Sequence, residues 1–192
     1  MSIPSFRFSR QGIVLRAFEP SDVGALCAYL NAPELVGRRY LPDDVPDVAP
    51  LSSRQVERVL EHWLKEAAAW TLAVIDAESD SLVGHVRADW EWDPHCPSTC
   101  VVVGPEHQRR GIGSNALALA VDFLFGETPA HVVSAWALSW NESALAFAAH
   151  CGFSEAGRRP RGGIHEGHYY DEVAFDLLRR EWVSRKEGRR AS

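Results

Sequence analysis

One segment, residues 101–117 (VVVGPEHQRRGIGSNAL), constrains this chain more than any other. A β-branched run ends at Val103 and a loop follows. Gly111, Gly113 and Ser114 then open an apolar stretch that runs to about Phe125. A strand feeding a glycine-rich turn into a buried helix implies layered α/β architecture. It also makes an anion site. Backbone N–H groups at the helix start lie open where no Cβ covers them, and the helix dipole adds positive potential. Arg109 and Arg110 add two guanidinium groups. The segment reads as a phosphate or pyrophosphate cradle. A Walker A loop needs Gly-Lys-Ser/Thr, and no lysine lies near. A dinucleotide fingerprint is present in letter at Gly111, Gly113 and Ala116, but a long loop separates Gly104 from Gly111. The next strand, ending near Leu138, also lacks the acid that would hold a ribose. A dinucleotide-binding oxidoreductase is therefore the weaker alternative.

The rest of the chain supplies a scaffold for that segment. Strands are expected over 12–18, 69–76, 82–92, 98–103, 131–138, 153–158 and 169–178. Helices are expected from Pro20-Ser21-Asp22 to Leu30, from Ser52 or Ser53 to Leu64, from Gly111 to about Phe125, and over 141–151. In the second helix Val56, Val59, Leu60, Trp63 and Leu64 share one face. Residues 31–53, with Pro33, Pro42, Pro46 and Pro50, form a long irregular connection of the kind that often binds ligands. The 192 residues are expected to make one domain, with a core over about 12–183 and a basic tail over 184–192, solvated or frayed.

Composition excludes several classes. With 46% hydrophobic and 24% charged residues the chain is not disordered, and no apolar run is long enough to span a membrane. A net charge of −6 argues against a nucleic-acid partner. The N-terminus lacks a secretory signal, and Cys27, Cys96, Cys100 and Cys151 are scattered. Both point to reduced thiols in a cytoplasmic protein. His95, Cys96 and Cys100 lack a second ligand pair, so no metal site is expected.

Gln108-Arg109-Arg110-Gly111-Ile112-Gly113 resembles the Q/R-x-x-G-x-G/A motif of the GNAT superfamily of N-acetyltransferases. Asn141-Glu142-Ser143-Ala144 through His150-Cys151-Gly152-Phe153 is similar to a second block of that family. Two further stretches are similar to the Rim-type, ribosomal-protein-acetylating branch: Leu15-Arg16 with Pro20-Ser21-Asp22, and Gly167–Val173 with Leu177-Leu178 and Glu181-Trp182. The resemblance covers about residues 12–183. It implies an acyl-coenzyme A N-acyltransferase fold: a central, mostly antiparallel sheet with a splayed strand pair, flanked by about four helices. It implies acetyl-coenzyme A as co-substrate and an amine acceptor, whether a protein N-terminus, a polyamine or another small amine. It also leaves a homodimer open. By the same resemblance, Val101 and Val103 would offer backbone groups to the pantetheine arm. Backbone N–H groups of Gln108, Arg109, Arg110, Gly111, Ile112, Gly113 and Ser114 would hold the pyrophosphate. Asn141 would hydrogen-bond the arm, and Phe147 would line its pocket.

The chemistry is attack of a free amine on a thioester. An amine of pKa ~10.4 needs about 4.6 kcal/mol to lose its proton at pH ~7, whereas expelling a thiol of pKa ~8.5 as thiolate needs only ~2 kcal/mol. A base therefore matters more than an acid. Many family members carry a tyrosine as the thiol's acid; the matching position is Ala148, and Ser143, Tyr169 or water could substitute. Many also carry a glutamate on the strand before the loop, where this chain has Ser98-Thr99-Cys100. Candidate bases lie one strand earlier. His85, Arg87, Asp89, Glu91 and Asp93 alternate with Val86, Ala88, Trp90 and Trp92, which puts the ionisable groups on one face. That face is either solvated or turned to the substrate. Glu91 is the preferred base and His165 the second. Trp136 and Trp140 are expected in the core. The missing tyrosine and glutamate keep a non-catalytic acyl-coenzyme A-binding module open as the alternative.

Overall fold

In a computed structural model, the described residues are 7–42, 45, 47, 49–90 and 93–190. In chain order the elements are β1 (Arg7–Arg10), β2 (Ile13–Arg16), α1 (Val23–Leu30), α2 (Ser53–Lys65), β3 (Ala69–Asp76), β4 (Ser81–Asp89), β5 (Ser98–Val103), α3 (Ile112–Glu127), β6 (Val132–Leu138), α4 (Glu142–Cys151), β7 (Ser154–His165), β8 (His168–Leu178) and α5 (Arg179–Arg190). Among the described residues the strands form one eight-stranded sheet, in the order β1-β2-β3-β4-β5-β6-β8-β7. Its one parallel ladder pairs β5 with β6, in register Ser98↔Ser134. This is the mixed, mostly antiparallel architecture expected.

The chain divides into two compact units. One holds the described residues up to Asp89 together with Cys100–Ala120; the other holds those of 90–99 and from Val121 onward.

In the first unit, β1 is an addition to the expected strands. Gln11 (φ 46°) and Gly12 (φ 78°) turn the chain in two residues, so Arg10 pairs with Ile13. Such a turn needs positive φ at both positions. The Arg16 guanidinium then holds Asp22 through two bonds of 2.7 and 2.8 Å, and Asp22 also accepts from Glu19 N at 2.7 Å. This buried pair fixes the entry to α1. Ser52 caps α2 in a reciprocal box with Gln55. Val56, Val59, Leu60 and Trp63 of α2 are buried as expected, but Leu64 is 58% exposed. Several described residues of the connection that follows α1 are pinned. Asn31 makes two bonds to the Leu51 backbone, 2.7 and 2.8 Å, and the fully buried Arg39 reaches Asp47, Leu30 O and Ala49 O.

Both faces of β2–β5 carry buried side chains in this unit. Ala73, Ile75, Leu82 and Val102 pack with α1 and α2, while Val74, Val83, Val86 and Val103 pack with Ile112, Ala116, Leu119 and Ala120 of α3. The ionisable face of β4 is therefore neither solvated nor open at His85. That ring is buried, 2.8 Å from the Tyr29 hydroxyl through Nδ1 and 4.8 Å from the Trp63 ring. Its Nε2 has no partner among the described residues. Arg87 pairs with Glu66 at the end of α2, with one bond of 2.8 Å.

In the second unit, β7 and β8 form a long hairpin, and α5 follows β8 and runs into the stretch 184–192 expected as a tail. Arg179 clamps the chain between α3 and β6. Its guanidinium donates to Ala130 O at 2.7 Å, to Thr128 O at 2.8 Å and to Phe125 O. Trp182 donates to Asp122 at 2.6 Å, and Arg185 donates to Gly152 O at 2.8 Å. Trp136, expected in the core, is 52% exposed.

Burial holds the His85 imidazole at a pKa of about 3, against 6.5 ordinarily, with the Arg87 charge adding to the effect. Between those values the unfolded chain binds the extra proton, so stability falls as pH falls, by up to about 1.4 kcal/mol per pH unit; above pH ~6.5 the group has no effect. Urea denaturation from pH 7 to 4.5 is expected to show a shallower loss for His85→Gln than for the wild type. Parallel pH slopes would contradict it.

Candidate functional site

The cradle segment lies wholly in the first unit. Gly84 allows β4 to approach β5 so closely that a Cβ there would stand 2.2 Å from Val102 O. Gly104 N donates to Val83 O at 2.9 Å and secures the end of β5. A short 3-10 turn, Pro105–His107, follows. Arg109 (φ 58°) and Gly111 (φ 78°) then take left-handed backbone conformations, and α3 begins at Ile112. Asn115 N donates to Gly111 O at 3.0 Å, an early intrahelical bond. N–H groups at the start of a helix precede any such bond and have no intrahelical acceptor. Two left-handed residues at such a point make a concave nest for an anion. Arg109, Arg110 and Gly111 are exposed, and among the described residues neither arginine forms an ion pair. The cations stand ready beside the nest.

Two of the expected backbone donors and acceptors are already engaged. Gln108 N donates to Pro105 O at 3.2 Å, and Gln108 Nε2 donates to Val103 O at 2.9 Å. Gln108 thus braces the loop onto β5 with its side chain. Val101 and Val103 turn their side chains to the α3 side, and Val102 faces α1 and α2.

In the second unit Asn141 caps α4. Its Oδ1 accepts from Ala144 N at 3.3 Å and from Ser143 Oγ at 2.8 Å. The Ser143 hydroxyl is thereby committed to the cap, and the Asn141 amide NH₂ is the end left to meet a ligand. Phe147 is half-buried, and Ala148 lies in the core. His165 ends β7 with its imidazole flat against the Trp140 indole, centroids 3.9 Å apart and planes 12° from parallel.

The remaining candidates sort as follows. Glu91 and Trp92 lie outside the described residues. Asp89 is half-buried at the end of β4. Asp93 accepts from His95 N at 2.7 Å within a turn. Burial pushes the Cys100 thiol up to about 12, which makes it a poor nucleophile. Among the described residues no group of three or more His, Cys, Asp or Glu could hold a metal ion.

Residues 13–154 match the acetyltransferase (GNAT) domain. The chain belongs to the GNAT acetyltransferase family. No curated protein sequence matches it. Among solved structures, a GNAT-family acetyltransferase from Bacillus anthracis superposes with a TM-score of 0.78 at 18% identity, covering 92% of this chain and 100% of its own. A spermidine N-acetyltransferase from Vibrio cholerae, solved with CoA and spermine, gives 0.74 at 20% identity, covering 90% and 98%. A Vibrio cholerae protein assigned provisionally as a ribosomal-protein-serine acetyltransferase gives 0.73 at 20% identity, covering 92% and 99%. The acetyltransferase therefore has the expected fold and uses acetyl-coenzyme A. The dinucleotide reading of Gly111, Gly113 and Ala116 gives way.

The residues present fit that co-substrate. An exposed nest at the start of a sixteen-residue helix, flanked by two arginines, suits a pyrophosphate. Sequence reasoning missed the bracing role of the Gln108 side chain and the Trp140 stack. The first lacks a local signature. The second joins residues far apart in the chain.

A Cβ at Gly111 would meet only Asn115 Nδ2, at an ordinary 3.9 Å, so the left-handed φ, not crowding, demands glycine. Gly111→Ala is expected to cost about 1 kcal/mol of stability and to raise the acetyl-coenzyme A dissociation constant at least ~10-fold, because a Cβ would stand at the nest. Calorimetric titration of both proteins checks this.

Proposed function

We propose that this acetyltransferase acts on a small, cationic primary amine, with the cradle from Arg109 to Ser114 holding the acyl donor's pyrophosphate and His165 accepting the amine's proton. The observation that carries the reading is the left-handed turn at Arg109 and Gly111 into the start of α3. Support for the acceptor class comes from charge. A net −6 favours approach of a cation, and the solved spermidine acetyltransferase shares the fold. His165 is supported by its place beside a hairpin turn, with its side chain 43% exposed. An imidazole ring nitrogen can accept a proton, as deprotonating the acceptor requires. Ser143, already donating to Asn141, is not needed as an acid, since thiolate expulsion is the smaller barrier.

A protein N-terminus is the second reading, favoured by the ribosomal-protein-type neighbour. No helix among the described residues is long and apolar enough to cross a membrane. The deciding assay is free-thiol release from acetyl-coenzyme A, with spermidine on one side and a lysine-free peptide bearing a free N-terminus on the other. Amine-dependent release with spermidine is expected. Release with the peptide alone would overturn the small-amine reading. Release with neither, at saturating acetyl-coenzyme A, would point to a binding module without catalysis.

A further inference from the structure

We infer that Trp140 is a positioning residue for the His165 imidazole. This rests on His165 as the proton acceptor proposed above. The separation of 3.9 Å and tilt of 12° describe a flat stack, with most of one imidazole face laid on the indole. In a face-to-face stack the ring nitrogens lie in the plane of contact and point away from the partner. The base edge is thus left clear while the ring's rotation is restrained.

Trp140 is itself fixed on both sides. Ser139 N donates to Asp171 O at 2.8 Å, and Asp171 N donates to Ser139 Oγ at 2.9 Å. Asn141 N donates to Leu138 O at 2.8 Å and Asn141 caps α4. The indole therefore projects from a corner locked to β8 and to a helix. His165 stands instead beside the two-residue turn Glu166 (φ 49°)–Gly167 (φ 79°), at the tip of the β7–β8 hairpin. Side chains at such tips are ordinarily the least restrained. The stack lends a tip residue the order of the corner.

The charged groups around the ring do not replace that restraint. Glu166 Oε1 is 4.0 Å from His165 Nε2, and its own side chain is 84% exposed. His168, the register partner of His165 on β8, has its Nδ1 3.0 Å from Glu166 O. From the β6–α4 corner the partner is Trp140. The stack therefore aims the ring.

The test uses the full chain, acetyl-coenzyme A and whichever of spermidine or the lysine-free peptide gives thiol release. His165→Gln is expected to lower kcat by about 10²-fold, the low end for a general base. Trp140→Leu is expected to lower kcat about tenfold, with KM for acetyl-coenzyme A within about twofold, since a misplaced group slows the step without weakening donor binding. Trp140→Phe, which can still stack, is expected to recover most of the loss. The double variant is expected to be no slower than His165→Gln alone, because Trp140 acts through His165. In NMR spectra, the His165 ring protons should sit upfield in the wild type and return toward ordinary positions in Trp140→Leu. Two results overturn the proposal in distinguishable ways. If His165→Gln keeps the wild-type kcat, the proton-acceptor reading falls and the role of Trp140 falls with it. If His165→Gln is slow but Trp140→Leu is not, or if the double variant loses both factors multiplied, only the positioning role falls.

Discussion

A helix cannot satisfy its own first N–H groups, and the first unit is organised around leaving those of α3 open at one place. The turn that exposes them contains Arg109, a non-glycine residue with φ 58°, which has a conformational cost. Packing holds it there. Ile112, Ala116, Leu119 and Ala120 bury one side of α3 against β2–β5, which sets the direction of the helix. Gly104 N on Val83 O and Gln108 Nε2 on Val103 O fix the other end of the loop to the sheet. Gly84 lets β4 lie close enough to β5 for this, with no room for a Cβ beside Val102 O. Remove the packing and the nest relaxes toward an ordinary helix start. Keep it, and the exposed donors stay aligned before any anion arrives, so little ordering remains to be done on binding.

How much of this was legible in the sequence follows from range. The cradle was legible because its parts are local: a β-branched strand end, glycines at the turn and an apolar helix all fall within residues 101–125. Which stretches form strands and which helix faces are apolar mostly followed from periodicity. His85 was misread for a definite reason. Period-two alternation says which residues share a face, but not whether a neighbour covers that face. Here Tyr29 of α1 and Trp63 of α2 cover it. Leu64 and Trp136 erred in the opposite sense, apolar residues that remain exposed. The helix α5 was not expected: its sequence RREWVSRKEGRR is polar nearly throughout, and its last part fell in the stretch 184–192 read as a tail; its first turns are anchored by tertiary contacts, Arg179 on three carbonyls and Trp182 on Asp122.

The chemistry divides the same way. The donor side rests on backbone geometry, which a glycine pattern announces. The acceptor side, as proposed, draws on side chains brought together from distant positions, such as His165 and Trp140, whose stack no local pattern announces. The departures at Ala148 and Ser98–Cys100 then become intelligible. An enzyme that handles the larger barrier, deprotonating the amine, can do without a dedicated acid for a thiol that leaves readily. The Cys100 thiol, its pKa pushed up to about 12 by desolvation, is a poor nucleophile and offers no alternative to direct attack by the amine.

The central claim is that the nest at the start of α3 recognises the pyrophosphate of the acyl donor. Calorimetric titration with acetyl-coenzyme A and with S-acetylpantetheine, which keeps the thioester and arm but has no phosphate, tests it directly. The account predicts that loss of the phosphates weakens binding at least ~10²-fold, as expected for several charge-assisted bonds of about 1.5–3 kcal/mol each. It also predicts that raising salt weakens acetyl-coenzyme A binding and leaves S-acetylpantetheine binding nearly unchanged. Equal affinities for the two ligands would contradict it.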